Sequence, residues 1–462
     1  PMTTQKMFGT DGVRAPVGME PMTPQTIMRL AHACGQLLGR QHTGLNPRPV
    51  VAVGTDTRGS APMFEAALQA GFSAAGVDTG MCGELPTPGV AYLTRLRGYQ
   101  AGVVVSASHN PCEDNGVKFF SATGDKLPDG MEAEIERSMD QPMVCLPSSR
   151  LGRVSLLPEA SDLYIQFCRQ AVPAGLHLQG MKIVIDAAHG ACHRIAPEVF
   201  RQLGAEVVAV GATPDGQNIN DNVGATSPKH LSEAVLAHQA DVGVALDGDG
   251  DRLVMVDSEG RIYAGDELLY VLAVDAQTND GLQGGVVGTV MSNQGLEQAL
   301  LRRGLDFARS AVGDRHVLEL LKQRGWRLGG EGSGHLIGLD WHSTGDGVMS
   351  ALRVVAAMKR SQHSLSQLCS DLRMNAQCLV NVPVTRGAGM ADNTWMPHFQ
   401  LRAEKLLGDD GRVLLRASGT EPVVRVLVEC RTALRAQRMA SRFAKEVSQL
   451  LTAPAALDTA TA

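Results

Sequence analysis

The feature that most constrains the fold is a repeated alternation of short β-branched runs with longer helical patterns. The strand-like runs lie at 50–53, 101–106, 182–186, 206–210, 241–246 and 285–290 and from 328 onwards. The helical stretches lie near 61–75, 194–203, 228–239, 294–303, 315–324 and 347–359. Strands that alternate with helices in this way form β-α-β units. Because the pattern recurs at about one domain length, it predicts three similar α/β domains with mixed, mostly parallel sheets.

The C-terminal part of the chain has a different pattern. Two strand-like runs, Val413–Arg416 and Val423–Glu429, surround a polar turn, and Leu434–Leu450 has the spacing of an amphipathic helix. This predicts a smaller α+β domain. We therefore expect four domains, at 1–153, 154–257, 258–370 and 371–462.

Composition narrows the class of protein. The chain has 462 residues, of which 44% are hydrophobic, so it can bury a large core. Disordered proteins and small disulfide scaffolds are therefore excluded. The net charge is −6 and no basic run is present, which disfavours nucleic acid or an anionic membrane as the main partner. Nine cysteines without a Cys-x-x-Cys pair, no secretory pattern and no apolar span predict a cytoplasmic protein with reduced thiols.

A first polar loop follows the apolar run Ala101–Val105 and reads Ser-Ala-Ser-His-Asn-Pro, continuing to Asn115–Lys118. The hydroxyl of Ser108 is a candidate nucleophile or phosphate carrier, and His109 and Lys118 are candidates for proton transfer. An ordinary Ser/Asn/Pro turn is the alternative. The loop lacks the Gly-x-Ser-x-Gly pattern, which disfavours a serine hydrolase.

A second loop reads Asp-Gly-Asp-Gly-Asp-Arg over 247–252 and follows a strand-like run. Carboxylates at alternate positions can point at one hard cation, and they cannot all stay ionised without a counter-charge. An EF-hand would need Gly and Glu where Arg252 and Ser258 stand. The loop therefore favours Mg²⁺ bound together with a phosphate over a surface acidic turn.

Two further loops carry polar groups suited to a sugar phosphate. The loop at 330–335 offers Glu331, Ser333 and His335 as hydrogen-bond partners for a sugar ring, with a glycine-rich turn before a capped helix as the alternative. The loop at 416–425 offers a phosphate site, with a solvated turn as the alternative. Its candidate ligands are Arg416, Ser418, Gly419, Thr420 and Arg425.

In this order and at domain spacing, the four loops resemble those of the α-D-phosphohexomutase family over nearly the whole chain. The resemblance implies four domains around a central cleft. It also implies a phosphoserine at Ser108 and one Mg²⁺ per chain, held by that residue with Asp247, Asp249 and Asp251. Glu331, Ser333 and His335 would contact sugar hydroxyls, and the loop at 416–425 would hold the phosphate that does not react. His109 and Lys118 would be candidates for proton transfer, with charge support from Arg14 and Arg252.

Within the family, the stretches 115–121, 216–220 and 344–347 are most similar to the members that act on glucosamine phosphates. This similarity implies interconversion of glucosamine 6-phosphate and glucosamine 1-phosphate through a 1,6-bisphosphate. The product would supply the synthesis of UDP-N-acetylglucosamine. A homodimer is compatible with the resemblance. Ala15, His189 and 223–226 depart from that group, and none of them lies in the four loops. The alternatives are a phosphoglucomutase/phosphomannomutase of the same family and a non-catalytic protein that binds a metal or a sugar phosphate.

Overall fold

The computed structural model describes residues 7–9, 12–43, 47–384, 395–417 and 423–452. The chain divides into two compact units. One unit comprises Pro1–Thr289 and Asp306–Ser370, and the other comprises Val290–Leu305 and Asp371–Ala462. Among the described residues, no helix is both long and apolar enough to cross a membrane.

Strands and helices alternate along most of the chain. The strands are β1 (Val13–Pro16), β2 (Val50–Thr55), β3 (Asp78–Glu84), β4 (Ala101–Val105), β5 (Asp114–Ser121), β6 (Val154–Leu156), β7 (Lys182–Asp186), β8 (Glu206–Val210), β9 (Val242–Leu246), β10 (Leu253–Asp257), β11 (Ile262–Tyr263), β12 (Val286–Thr289), β13 (Phe307–Ser310), β14 (Leu328–Gly330), β15 (Leu336–Gly338), β16 (Ala376–Pro383), β17 (Gly411–Ala417) and β18 (Val423–Cys430). The helices are α1 (Pro24–Gln41), α2 (Ala61–Ala74), α3 (Thr87–Leu96), α4 (Asp129–Met139), α5 (Ala160–Arg169), α6 (Ile195–Gln202), α7 (Lys229–His238), α8 (Gly265–Asp275), α9 (Gln294–Arg302), α10 (Asp314–Arg324), α11 (Gly347–Ser361), α12 (Leu365–Leu368), α13 (Trp395–Leu407) and α14 (Ala433–Thr452).

The first sheet of the larger unit has the strand order β1-β5-β4-β2-β3-β6. The strands β4, β2, β3 and β6 run parallel, and β5 is antiparallel to both of its neighbours. Every residue of β4 is buried, as expected for a parallel strand covered on both faces. Helices α1 and α2 pack closely because Gly71 has no side chain, and a Cβ there would lie 2.3 Å from the Met28 carbonyl oxygen.

Two more mixed sheets follow in the same unit, with the orders β11-β10-β9-β7-β8 and β13-β12-β14-β15. Each sheet has a parallel core with antiparallel pairing on one side. In the second sheet β10 is antiparallel to β9 and β11 to β10, and in the third sheet β15 is antiparallel to β14. The carboxyl ends of parallel strands meet at one edge of a sheet, where α/β proteins bind ligands. The polar loops after β4, β9 and β14 lie at such ends.

The smaller unit contains an antiparallel sheet with the order β16-β18-β17, packed by α13 and α14. Its core includes Phe399, Val426 and Phe443. Together with the three mixed sheets, it confirms the predicted fold class. Helix α9, which the sequence assigns to the third block, packs in this unit, since the Gln294 N–H donates to the Glu429 carboxylate at 2.9 Å.

Candidate active site

The loop that follows β4 holds Ser108 in an unusual backbone conformation. Ser108 is 1% exposed and has φ of +52°, in the left-handed region that few residues other than glycine adopt. Its N–H donates to Ser106 Oγ at 2.9 Å. Its hydroxyl donates to Asp247 Oδ2 at 2.7 Å and lies 3.3 Å from His109 Nδ1. The loops after β4 and β9 therefore meet at the Ser108 hydroxyl.

Asp247, Asp249 and Asp251 form a buried cluster in the loop after β9. Each offers one carboxylate oxygen, and these oxygens lie within 4.8 Å of one another. The Oδ1 atoms of Asp249 and Asp251 are buried and have no hydrogen-bond partner among the described residues. Buried carboxylate oxygens without donors fit a hard divalent cation, which prefers oxygen ligands.

Charges within the cluster are balanced in part by Lys118. Its Nζ lies 2.6 Å from Asp249 Oδ2 and 3.5 Å from Asp251 Oδ2. Burial raises the pKa of Asp249, but the charge of Lys118, the hydrogen bonds from Lys118 and Thr87 and the charge of Arg14 together hold that pKa below its usual range. Burial, together with the carboxylates of Asp251 and Asp249, raises the pKa of Asp247 well above its usual value. The cluster thus keeps a proton on Asp247 more readily than on Asp249.

Two arginines act on the same region. The Arg252 N–H donates to Asp247 Oδ1 at 3.1 Å, and Arg14 lies on β1 opposite Gly116 of β5. Burial lowers the pKa of His109 to about 4, and the charges of Arg252 and Arg14 act in the same direction. His109 is therefore neutral at neutral pH.

The loop at 330–335 is a tight turn between β14 and the antiparallel β15. The Glu331 carboxylate accepts from the Gly313 N–H at 2.9 Å, and Ser333 is exposed. His335 is buried, with Nδ1 3.7 Å from Asp251 Oδ2 and Nε2 3.7 Å from Asp314 Oδ2. His335 therefore connects this loop to the acidic cluster.

In the smaller unit, Arg416 on β17 is paired directly with Arg425 on β18. Like charges that face each other across two strands repel, so this position suits an anion. Ser418, Gly419 and Thr420, the other residues of the predicted phosphate site, lie outside the described residues.

Four family models match the chain in succession. Their descriptions are phosphoglucomutase/phosphomannomutase α/β/α domain I over 5–143, domain II over 162–260, domain III over 264–375 and the C-terminal domain over 379–446. The chain belongs to the phosphoglucomutase/phosphomannomutase family. Membership confirms the resemblance that the four loops indicate, and with it the expected enzyme class, a mutase.

Curated relatives of high identity match nearly the full length of the chain. A protein of Azoarcus sp. (strain BH72) named phosphoglucosamine mutase is 56% identical over 428 residues, which are 92% of this chain and 95% of the relative. A protein of the same name from Herminiimonas arsenicoxydans is 54% identical over 443 residues, which are 96% of this chain and 99% of the relative.

Solved structures share the fold at lower identity. A family member from Burkholderia thailandensis has a TM-score of 0.80 at 23% identity, covering 97% of this chain and 98% of that one. The N-acetylphosphoglucosamine mutase of Aspergillus fumigatus, solved with GlcNAc-6P and magnesium, has a TM-score of 0.63 at 18% identity, covering 96% of each chain.

The structure brings together most of the residues that the sequence predicts for the larger unit. Ser108, His109 and Lys118 contact one another or the acidic cluster, and His335 lies beside it. Lys118 is not in the loop that begins at Ser106, because Asp114–Ser121 forms β5. Its side chain reaches the cluster from the strand that pairs with β4.

Sequence reasoning missed three supporting residues. Arg58 is fully buried, forms an ion pair with Asp56 at 3.0 Å and donates to carbonyl oxygens of the Ser108 loop. Thr87, at the first turn of α3, donates its hydroxyl to Asp249 Oδ2. Asp56 and Arg58 follow β2, and Thr87 follows β3. The rule that ligands gather at carboxyl ends of parallel strands could have identified them.

Proposed function

We propose that the chain is a phosphoglucosamine mutase, which interconverts glucosamine 6-phosphate and glucosamine 1-phosphate. The observation that carries the chemistry is the Ser108 hydroxyl, 2.7 Å from Asp247 in a cluster of three buried carboxylates. The observation that favours glucosamine is the 56% identity to a relative named phosphoglucosamine mutase over nearly the whole chain.

In the proposed reaction Ser108 carries the phosphoryl group. The bond between phosphorus and Ser108 Oγ breaks while a bond forms from phosphorus to the free hydroxyl oxygen of the sugar phosphate, and that hydroxyl loses its proton. The product is glucosamine 1,6-bisphosphate. After the bisphosphate reorients in the site, the bond from its other phosphorus to the sugar oxygen breaks while a bond forms to Ser108 Oγ. The Ser108 hydroxyl loses its proton, the sugar oxygen regains one, and the second monophosphate is released. Phosphoryl transfer of this kind depends mainly on positioning and on neutralising charge.

Asp247, Asp249 and Asp251 would hold one Mg²⁺ per chain together with an oxygen of phosphoserine 108. The bound ion would neutralise negative charge on the transferring group. The donor set supports this assignment, because two of the carboxylate oxygens are buried without a partner among the described residues. Thr87 and Lys118 both bind Oδ2 of Asp249 and so leave its Oδ1 for the ion.

His109 and Lys118 are the proposed groups for proton transfer. Arg14 and Arg252 are proposed to stabilise the negative charge of the phosphoryl group. His109 Nδ1 lies 3.3 Å from the Ser108 hydroxyl, within reach of a direct transfer. Phosphoserine carries a charge of about −1.5 to −2 at pH 7, so nearby arginines are favourable.

Glu331, Ser333 and His335 are proposed to bind sugar hydroxyls. In the smaller unit, the residues proposed to bind the phosphate that does not react are Arg416, Ser418, Gly419, Thr420 and Arg425. The opposed arginines support an anion site there. A cytoplasmic location, a homodimer and a role in supplying UDP-N-acetylglucosamine synthesis stay predictions.

A substrate panel tests the proposal. The purified chain is first phosphorylated with glucose 1,6-bisphosphate, and its turnover of glucosamine, glucose and mannose 6-phosphates is compared. We expect glucosamine 6-phosphate to be preferred, and a preference for either other sugar would favour the phosphoglucomutase/phosphomannomutase alternative.

Ser108→Ala and Asp249→Asn test the chemistry, with Ser155→Ala on the exposed edge strand β6 as the matched control. We expect Ser108→Ala to lose turnover, Asp249→Asn to lose Mg²⁺-dependent turnover and Ser155→Ala to retain both. Unchanged turnover in Ser108→Ala would contradict the phosphoserine mechanism, and full turnover in Asp249→Asn would contradict the metal role of the acidic cluster.

A further inference from the structure

Asn220 ends a stretch, 216–220, whose role in the reaction is unassigned. Its side-chain amide Nδ2 donates to the carbonyl oxygens of Ser108 at 2.9 Å and Asn110 at 3.0 Å. Its own backbone is left-handed, with φ of +57°, and its N–H donates to the Ala188 carbonyl at 2.9 Å. Asn220 is thus anchored beside the second sheet and donates to the loop between β4 and β5 of the first sheet.

The same two carbonyls receive hydrogen bonds from a second group. Arg58 Nη2 donates to the Ser108 carbonyl at 3.2 Å and to the Asn110 carbonyl at 2.7 Å. A carbonyl oxygen has two lone pairs, so one donor from each side satisfies it. The backbone of the Ser108 loop is therefore held between Arg58, which follows β2, and Asn220, which precedes α7.

The loop over 247–252, which carries the acidic cluster, touches this arrangement directly. A Cβ at Gly248 would lie 2.5 Å from the Ser108 carbonyl oxygen and 2.9 Å from Asn220 Nδ2, so only glycine leaves room for this contact. Gly248 lies between Asp247, which accepts from the Ser108 hydroxyl, and Asp249. A shift of the Asn220 amide would therefore change the position of Ser108 relative to both carboxylates.

We propose that Asn220 is a positioning residue for phosphoryl transfer. Its amide holds the Ser108 carbonyl against Gly248 and thereby keeps the Ser108 hydroxyl at the acidic cluster. The proposal rests on the proposed function, in which Ser108 carries the phosphoryl group. The amide contacts the backbone of the Ser108 loop, and in this proposal it acts on the position of the reacting hydroxyl. Its loss is therefore expected to change kcat more than KM.

Asn220→Asp tests the amide, with Asn222→Asp as the matched control. Aspartate has the size of asparagine and tolerates a left-handed backbone, but it turns the donor into an acceptor that faces two carbonyl oxygens. Asn222 has φ of +55° in the same loop, and within the described part of the chain its amide donates only to exposed Asp221. A misplacement near 1 Å can cost about 100-fold in rate, so we expect kcat of Asn220→Asp to fall by about 30- to 100-fold.

KM for glucosamine 6-phosphate should stay within about twofold in Asn220→Asp, and Asn222→Asp should keep both constants within about twofold. Asn220→Gly serves as a second variant, because glycine retains the left-handed backbone and removes the side chain with both of its hydrogen bonds without adding a charge. We expect its kcat to fall by about 5- to 10-fold, since water can reach the vacated position.

Three results would overturn the proposal: wild-type kcat in both Asn220 variants, a rise in KM that accounts for the loss, or an equal loss in Asn222→Asp. Ser108→Ala is measured in parallel. If Ser108→Ala is inactive while the Asn220 variants are normal, the positioning role is wrong and the proposed function stands. If Ser108→Ala is active, the proposed function itself fails.

Discussion

Replacing Arg58 by lysine removes a specific set of buried hydrogen bonds while keeping the positive charge. The five N–H groups of the Arg58 guanidinium all have acceptors: Asp56 Oδ2 and the carbonyl oxygens of Ser108, Asn110, Pro111 and Asp114. The side chains of Arg58 and Asp56 are both wholly buried. A lysine ammonium has three donors that radiate from one atom, so it cannot match this planar set.

The number of acceptors sets the size of the effect. Lysine has three donors for these five acceptors, so at least two of the five oxygens lose the hydrogen bond that residue 58 donates. A hydrogen bond that involves a charged group contributes about 1.5–3 kcal/mol, so we expect the loss of two to lower the stability of the larger unit by about 3–6 kcal/mol. For a unit of about 350 residues, the lower figure corresponds to a fall of about 4 °C in Tm.

Scanning calorimetry measures this fall, with Arg194→Lys as the matched control because the Arg194 side chain is 80% exposed. The control should change Tm by less than about 1 °C, since exposed substitutions change stability by about 0.5 kcal/mol or less. If Arg58→Lys lowers Tm by no more than Arg194→Lys does, the planar set of hydrogen bonds from Arg58 does not hold the Ser108 loop.

Two further predictions concern buried charges. Lys118→Met removes the cation 2.6 Å from Asp249, so the acidic cluster should bind Mg²⁺ about tenfold more tightly while turnover falls. Calorimetric titration measures the affinity, and weaker Mg²⁺ binding would contradict the charge-balancing role of Lys118. Asp346→Asn retains the cap on α11, where Asp346 Oδ1 accepts from the Met349 N–H, and removes a carboxyl whose pKa burial raises to about 6. Because the folded state binds this proton more tightly than the unfolded state does, the stability of wild type falls as pH rises through the folded pKa of about 6. We expect wild type to lose about 1 kcal/mol relative to Asp346→Asn between pH 5 and pH 8. Urea unfolding at both pH values measures the difference, and a pH-independent difference would count against the buried charge.

Local pattern was sufficient to predict much of the fold. The strands β7 and β8 begin and end where the sequence predicts, because runs of Val and Ile between polar residues have clear limits. Helix α9 shows where local pattern is insufficient. Its sequence places it after β12 in the third α/β block, but hydrogen bonds from Asn293 and Gln294 to residues far along the chain determine the unit in which it packs.

The site divides in the same way. Asp247, Asp249 and Asp251 could be predicted because their chemistry and their spacing lie within one loop. Lys118 was predicted as a residue of the site but not as a residue of a strand, and its charge-balancing contact depends on the pairing of β5 with β4. Arg58 and Asn220 act on backbone carbonyls, which every residue carries, so no side-chain pattern in the sequence marks their partners.

The left-handed backbone of Ser108 connects the stability of the larger unit to its chemistry. A non-glycine residue in this region costs about 1–3 kcal/mol and persists only where surrounding groups hold it. Three such groups act on Ser108: Ser106 accepts its N–H, and Arg58 and Asn220 donate to its carbonyl. Asp56 links the first two, since it accepts from both the Ser106 hydroxyl and the Arg58 guanidinium. The buried Asp56–Arg58 pair therefore also holds the backbone of Ser108, through Ser106 on one side and the Ser108 carbonyl on the other. It offsets the backbone cost at the residue whose hydroxyl must face the acidic cluster, which is why lysine, with the same charge, is expected to fail at position 58.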